Sequence, residues 1–451
     1  VHLGNARTAL FSWLFARHHG GRFVLRIEDT DTERSKESYT QALMEDLCWM
    51  GLEWDAGPGR TTAGEEYLQS RRGAIYARHS ATLDARGLTY PCYCTPLELD
   101  LSRKAQLAAG RPPRYAGTCR ELSAEARVRK SAQGISPTTR FRVPTGKFVE
   151  FDDMVHGSQK FATDDIGDFI LRRADGSAAF FFSNAIDDAE MGITHVLRGE
   201  DHLTNTPRQL LVLEALGLRA PTYGHLSLLV GADGTPLSKR HGATSVREYR
   251  ERGYLPAALN NHLFRLGHSS AENGVLSPEA MARAFTVKHL GRAPARFEES
   301  QLNVWQREVA HHMPLEESER WLAAETPRDI DAQRRRAFIA AIRPNVLLPA
   351  DVAHWREVVF GPSPRLDEGS LARVREAGTQ FFRVAAAAAA AGGSLDAIVD
   401  AVKSATGAKG QALWKPLRLA LTGSPEGPEL APLLSSMDRS TIHDRLNRFA
   451  A

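Results

Sequence analysis

Cysteine is scarce, with four residues in 451: Cys48, Cys92, Cys94 and Cys119. That number cannot staple a secreted fold of this length, so a reducing compartment is expected. Three of the four crowd into one short segment. Also lacking is an uninterrupted apolar run of the roughly 20 residues that a membrane-spanning helix needs, and no signal peptide precedes the first motif. Neither sign of charge dominates, because 57 Lys+Arg against 54 Asp+Glu leaves only +3. A polyanionic partner must therefore meet a local basic surface and not bulk charge. Finally, the first residue is Val1 and not methionine, in what reads as a loop feeding a helix, so a preceding segment is expected to have been cut off.

What is present, 42% hydrophobic and 25% charged residues, is the composition of an ordinary globular protein. The length exceeds one compact core, and two to four domains are expected. Ala9, Leu10, Trp13, Leu14, Phe15 and Ala16 repeat at helical spacing and stop at Gly20-Gly21, a glycine-capped helix. Residues 22–27 form a β-rich run that ends in Glu28-Asp29-Thr30-Asp31. Helices are predicted over 38–51 and 65–87. From 90 to 182 the character is punctuated by Pro and Gly, with short alternating runs at 147–151 and 168–172 and a turn at Ala174-Asp175-Gly176, which reads as an inserted α/β module. Strand 194–198, helix 206–216 and strand 225–230 restore the α/β alternation. Beyond Val246 the pattern is helical, including the run 385–391, where alanine favours a packed helix over disorder.

Two constellations point to chemistry. His2-Leu3-Gly4-Asn5 opens a helix, where backbone N–H groups and the helix dipole favour a phosphate, and where glycine admits a flat ring. Taken alone, it is most simply a surface histidine. The second runs from Gly231 to Gly242 and carries Pro236-Leu237-Ser238-Lys239-Arg240 directly after a strand. A glycine-flanked loop with such a tip can close over a triphosphate, whereas the bland reading is a basic hairpin tip. Cys92-Tyr93-Cys94 with Tyr115 and Cys119 has the look of a zinc knuckle, set against three reduced cysteines in a compact module. Cys48, beside Trp49, is expected to be buried packing.

Long strings carry a further signal: Ala6-Arg7-Thr8-Ala9-Leu10-Phe11, Arg26-Ile27-Glu28-Asp29-Thr30-Asp31, the stretch from Gly192 to His202, and Asn205-Thr206-Pro207-Arg208-Gln209. Through them the chain resembles the class I aminoacyl-tRNA synthetases, and among these the bacterial glutamyl-tRNA synthetases, over essentially its whole length. The resemblance implies a multidomain α/β plus all-α protein: a Rossmann-type parallel-sheet catalytic domain split over 1–88 and 179–242, an inserted acceptor-binding module at 89–178, a stem-contact helical domain at 243–306 and a helical anticodon-binding body at 307–451. It implies ATP with Mg2+, L-glutamate and tRNA(Glu) as substrates. A cytoplasmic monomer with no membrane association is expected.

By the same resemblance, His2 and Lys239 stabilise the α-phosphate and the departing pyrophosphate, and Gly4 packs under the adenine. Leu229 offers backbone groups to the adenine edge, and Asn5, Asp201, Ser238 and Arg240 complete the ATP site. Glu28 holds the substrate ammonium, Phe180, Asn184 and His202 line the pocket, and Arg198 pairs with a carboxylate as a fork. An internal ion pair is the alternative for Glu28 and Arg198. Related enzymes complete a zinc site with His or Tyr; here Glu121 stands where His would be, so Tyr115 or Glu121 is the fourth ligand. Arg71, Arg72, Arg111, Arg114, Arg120, Arg140 and Arg142 would hold the acceptor end, and Lys409, Lys415 and Arg418 around Trp414 would face the anticodon.

Three departures from the family pattern stand out. Pro236 replaces the loop's first lysine, Phe180 replaces a tyrosine, and the strand expected before Val1, with its glutamate contacts, is not in the chain, from which weak or no activity is expected. The alternatives are an enzyme charging both tRNA(Glu) and tRNA(Gln), or an inactive tRNA-binding paralogue.

Overall fold

The first motif-bearing segment folds as a single helix, α1 (Leu3–His18). His2 is its extended N-cap, and its Nδ1 accepts from the Gly4 amide at 3.3 Å. The far end closes through Gly20 at φ 61°, with the Gly21 N–H on the Ala16 carbonyl at 2.7 Å. The computed structural model describes residues 1–30, 37–60, 66–238, 242 and 244–451. These fall into two compact units, Val1–Arg247 with Asn260–Glu298, and Glu248–Leu259 with Glu299–Ala451.

In the first unit, α2 (Glu37–Trp49) and α3 (Gly73–Ala85) follow α1. The helix expected over 65–87 begins late, because the Ile27 N–H donates to the Tyr67 carbonyl and the Gln69 N–H to the Ile27 carbonyl, at 2.9 and 3.0 Å. Those bonds commit Tyr67 and Leu68 to an extended course, and a 3-10 turn at Gln69–Arg71 separates them from α3. The strand expected over 22–27 is reduced to two isolated parallel bridges, Val24 with Ala56 and Ile27 with Leu68.

The inserted module holds β1 (Thr89–Cys92), α4 (Pro96–Ala108), α5 (Ala124–Ala132), β2 (Thr138–Phe141), β3 (Phe148–Asp153), β4 (Gly157–Ala162), the single turn α6 (Thr163–Ile166) and β5 (Phe169–Arg172). Its antiparallel sheet has the order β1-β2-β5, beside a β3–β4 hairpin. Phe141, Phe169 and Leu171 of this sheet share one core with Tyr76 and Leu83 of α3 and with Phe182, Ala185, Leu211 and Val212 from the helices that follow.

Next come α7 (Phe180–Glu190), β6 (His195–Gly199), α8 (Thr206–Leu216) and β7 (Thr222–Leu226). β6 and β7 pair in parallel from His195–Thr222 to Gly199–Leu226, with α8 as the crossover. The strand expected over 225–230 is two strands. β7 stops at Leu226, and β8 (Leu229–Val230) pairs with β9 (Ala295–Arg296). Between them the Ser227 carbonyl accepts from Arg7, and the Leu228 N–H donates to Glu200 at 3.0 Å, so side chains take the groups that a continuing ladder would use.

The second unit is helical. The alanine run lies in the helix Thr379–Ala390, where Phe381, Phe382, Ala385, Ala386 and Ala389 are buried at helical spacing. Among the described residues no helix is long and apolar enough to cross a membrane.

Two buried imidazoles make the first unit acid-sensitive. His262 meets Phe297 edge-on with ring centroids 5.1 Å apart, and His268 stacks on Phe285 at 5.1 Å. Burial lowers both to about 4 from 6.5. Between those values the unfolded chain binds protons that the folded chain does not, so stability is full above pH 6.5 and falls as the pH drops through this window. At pH 5 the loss is about 2 kcal/mol per histidine, at 1.36 kcal/mol per pH unit. Urea unfolding at pH 7.5 and pH 5 is expected to show it, and His268→Phe to remove part of the difference. Equal stability at the two pH values would contradict it.

Candidate active site and cysteine cluster

The segment that follows the second motif meets the first at the start of α1. His2 forms an antiparallel bridge with Ser245, the Leu3 N–H donates to the Thr244 carbonyl at 2.9 Å, and the Val246 N–H to the Val1 carbonyl at 2.8 Å. The end of the glycine-flanked loop is thus stitched to the helix N-terminus. At the loop's beginning, the Gly231 N–H bonds Thr235, Asp233 accepts from Thr235, and Val230 bridges Pro236. Lys239 and Arg240, like Asp31, lie outside the described residues. A Cβ at Gly4 would meet only His2 Nδ1, at 3.7 Å, and Asn5 is exposed. The Leu229 carbonyl already accepts from the Leu237 N–H at 3.3 Å.

The residues expected to hold the amino acid also converge. Glu28 and Arg198 feel each other's charge, and both act on His202. Phe180, the first residue of α7, lies against His202 with centroids 5.4 Å apart and the rings tilted by 35°. Asn184, one turn further on, accepts from Arg26 Nη2 at 2.5 Å and acts on the Glu28 carboxylate through its side chain. Asp201 is 62% exposed and lies 3.7 Å from His202. Burial lowers His202, outweighing Asp201.

Glu28 keeps 44% of its side chain accessible yet sits in a concavity. Burial there raises its carboxyl above the usual range, against the pull of Arg26, whose Nη2 stands 3.8 Å away. The internal ion pair therefore holds weakly for Glu28. It does not hold for Arg198, which has no carboxylate within ion-pair distance among the described residues. Its partners are neutral: Nε donates to His225 Nε2 at 3.1 Å, and Nη2 to Thr206 Oγ1 and Gln209 Oε1, both at 2.7 Å. Burial lowers its guanidinium from the ordinary value. The expected two-nitrogen fork is thus half occupied, and Nη1 is the nitrogen left to meet an anion. Next to these groups lies a cavity of about 920 Å³, lined by residues 21–26 and 191–197 and by Ser12, Phe15 and Ala16 of α1.

Sequence reasoning missed the carboxylates beneath the pocket. Asp187 accepts from Gln69, Arg72 and Tyr76 at 2.9, 2.7 and 2.7 Å, and Asp188 accepts from Arg26 at 2.8 Å. Two acids side by side in a helix that opens on three phenylalanines were the available signal. Arg72, expected to hold the acceptor end, is consumed here. Arg120 is likewise tied to Asp168 at 2.5 Å, buried Arg140 lies over the Tyr115 ring at 3.7 Å, and Arg142 pairs with Glu121 at 3.2 Å. Arg71, Arg111 and Arg114 remain exposed. In the helical unit Lys409 and Trp414 are exposed, while Arg418 donates to the Pro428 carbonyl at 2.5 Å.

Cys92, Cys94 and Cys119 place their sulfurs within 4.8 Å of one another. The Tyr115 hydroxyl lies 3.3 Å from Cys92 Sγ and 3.6 Å from Cys94 Sγ, and accepts from the Cys119 N–H at 2.9 Å. Burial would raise the Cys92 thiol, but Tyr115 and Arg140 hold it at about 7, whereas burial and Cys92 push Cys94 up to about 12. A readily ionised thiol in a soft-donor cluster fits zinc, with Tyr115 as the fourth neighbour. Glu121 is not brought in, being 82% exposed and held by Arg142 and Arg120. Cys48 is a correction: it is exposed, because α2 buries the face of Asp46 and Leu47 instead.

These features agree with the comparisons. Residues 1–304 match the family model described as tRNA synthetases class I (E and Q), catalytic domain, and residues 316–450 match an anticodon binding domain. The chain belongs to the class I tRNA synthetase family. It is 53% identical to glutamate–tRNA ligase 2 of Nitrosococcus oceani, over 99% of this chain and 95% of that protein. It is also 53% identical to glutamate–tRNA ligase 2 of Alkalilimnicola ehrlichii, over 99% and 94%. Among solved structures it resembles a glutamate tRNA ligase from Elizabethkingia meningosepticum in complex with its amino acid, with a TM-score of 0.88 and 28% identity over 100% of this chain and 96% of that one.

Arg26→Met tests the ionic floor of the pocket. It removes the donor to Asp188 and Asn184 and the cation 3.7 Å from Asp187. The expected loss is about 3–5 kcal/mol in urea unfolding, as for a broken buried ion pair. A loss below about 1 kcal/mol would show that the floor is solvated.

Proposed function

We propose that this chain is a glutamate–tRNA ligase. It joins the α-carboxylate of L-glutamate to the α-phosphorus of ATP with release of pyrophosphate, and the 2′-hydroxyl of the terminal adenosine of tRNA(Glu) then takes the glutamyl group as AMP leaves. The observation that carries this reading is Arg198, a largely buried guanidinium with only neutral partners and one nitrogen open, facing a carboxylate that burial has weakened. Glutamate answers both groups: its ammonium restores the Glu28 charge, and its side-chain carboxylate meets Arg198 Nη1. The class uses ATP, and Mg2+ arrives on its phosphates.

Little covalent work is asked of the protein, so positioning and charge stabilisation dominate. His2 and Lys239 stabilise the α-phosphate and the pyrophosphate. Gly4, Asn5, Asp201, Leu229, Ser238 and Arg240 hold the rest of the nucleotide. Phe180, Asn184 and His202 shape the pocket around Glu28 and Arg198. Catalytic segments 1–88 and 179–242 flank the acceptor-end module at 89–178, with Arg111 and Arg114 as its exposed cations. Helical segments 243–306 and 307–451 take the stem and the anticodon, the last through Lys409, Trp414 and Lys415. Zinc, held by Cys92, Cys94, Cys119 and Tyr115, would supply structure to the module and take no part in the reaction.

Charging of purified tRNAs tests the reading. The protein is expected to esterify tRNA(Glu) with glutamate. Glu28→Gln should lower kcat/KM for glutamate about 100-fold, the loss of one charge-assisted contact of roughly 3 kcal/mol, while moving stability by less than about 1 kcal/mol. Equal charging of tRNA(Gln) would widen the specificity, and tRNA binding without any charging would leave a binding protein. For zinc, elemental analysis should return close to one metal per chain, lost in Cys119→Ser. A wild-type value far below one refutes the site.

A further inference from the structure

We infer that Asp153 and His225 are positioning residues for Arg198, fixing the proton of His225 on Nδ1 so that Nε2 accepts from Arg198 and directs Nη1 at the substrate carboxylate. The inference rests on the glutamate reading above and goes beyond it, because neither residue belongs to the nucleotide or amino-acid contacts named there. A guanidinium has five N–H donors. In Arg198 the Nε–H goes to His225 Nε2 and two on Nη2 go to Thr206 Oγ1 and Gln209 Oε1, which leaves the two on Nη1. The Tyr223 ring, 5.0 Å from the guanidinium carbon, supports it from one side.

What fixes this arrangement lies behind the histidine. His225 Nδ1 is 2.6 Å from Asp153 Oδ2, and both side chains are wholly buried. Asp153 Oδ1 meanwhile accepts three backbone N–H groups, from Val155 at 2.9 Å, His156 at 2.8 Å and His225 at 3.3 Å. Burial would raise the Asp153 carboxyl, but these bonds hold it below the usual carboxylate range. It is therefore an acceptor at both oxygens, and His225 Nδ1 must carry the hydrogen. Nε2 is then left as the acceptor, 3.1 Å from Arg198 Nε and equally 3.1 Å from the Thr206 hydroxyl. Were Nε2 protonated instead, its N–H would turn to Thr206 Oγ1, which already accepts from Arg198 Nη2, and would oppose the Arg198 Nε–H. β3, which ends at Asp153, thereby sets the aim of an arginine on β6 through a histidine on β7.

Three variants separate positioning from packing. Asp153→Asn keeps Oδ1 on its three amides but presents an N–H to His225 Nδ1, forcing the ring proton onto Nε2, by the logic of a wrong-tautomer substitution. His225→Asn keeps an N–H for Asp153 and loses the acceptor for Arg198. His225→Gln reaches the Nε2 position with an amide oxygen and restores it. In tRNA charging by the full-length protein, Asp153→Asn and His225→Asn are expected to raise the glutamate KM about tenfold or more with the ATP KM unchanged, and His225→Gln to recover to within about threefold of wild type. The inference is overturned if the first two leave the glutamate KM at the wild-type value. It is equally overturned if all three raise both KM values alike in step with a lowered Tm. Should His225→Asn fail to fold, Asp153→Asn decides alone. A wild-type protein that charges no tRNA with glutamate is a different result, one that removes the substrate assignment and this inference with it.

Discussion

Two adjacent carboxylates in one turn of α7, Asp187 and Asp188, are buried, and much of the catalytic unit is arranged to compensate them. Desolvating a carboxylate costs several kcal/mol unless partners replace water. Asp187 gathers Gln69, Arg72 and Tyr76, and Asp188 takes Arg26. Those partners are Arg26 and the run from Gln69 into α3, where a 3-10 turn at Gln69–Arg71 stands in place of the first part of the expected helix. The same bonds place Arg26, and through Arg26 they place Glu28 at the edge of the cavity. Position follows from charge compensation.

The order of the site was legible in the sequence and its bonding was not. Strings such as Gly192 to His202 identify which residues gather, and Glu28, Phe180, Asn184, Arg198 and His202 do come together. Local pattern also gave α1, α8, the insertion and the helical second unit, because each buries a stripe at its own period. What failed was whatever depended on a distant partner. The helix over 65–87 lost its first part to Ile27, the strand over 225–230 was cut by Arg7 and Glu200, and Cys48 fell on the outer face of α2. No local rule contains those partners.

The basic residues show the same limit. Counting arginines in the inserted module suggests a broad cationic surface, yet Arg120, Arg140 and Arg142 are spent on Asp168, Tyr115 and Glu121. A cation that already has a carboxylate at hydrogen-bond distance offers little to a phosphate, because the new contact must replace one of equal strength. The module's exposed basic surface is therefore smaller than composition suggests, and it includes Arg111 and Arg114.

Arg26 and Arg198 bring that reasoning into the pocket. Burial would lower both, but Asp188, Glu28 and Asp187 reverse the effect at Arg26 and raise it, whereas Arg198, with a histidine, a threonine and a glutamine, stays lowered. Arg26 is compensated in the resting protein and can gain nothing further from an anion. Arg198 is held in place by neutral groups without a carboxylate at ion-pair distance among the described residues, which is the condition that the proposed pairing of Nη1 with a substrate carboxylate requires. On that proposal, neutral partners are what separate an arginine for recognition from one that serves structure.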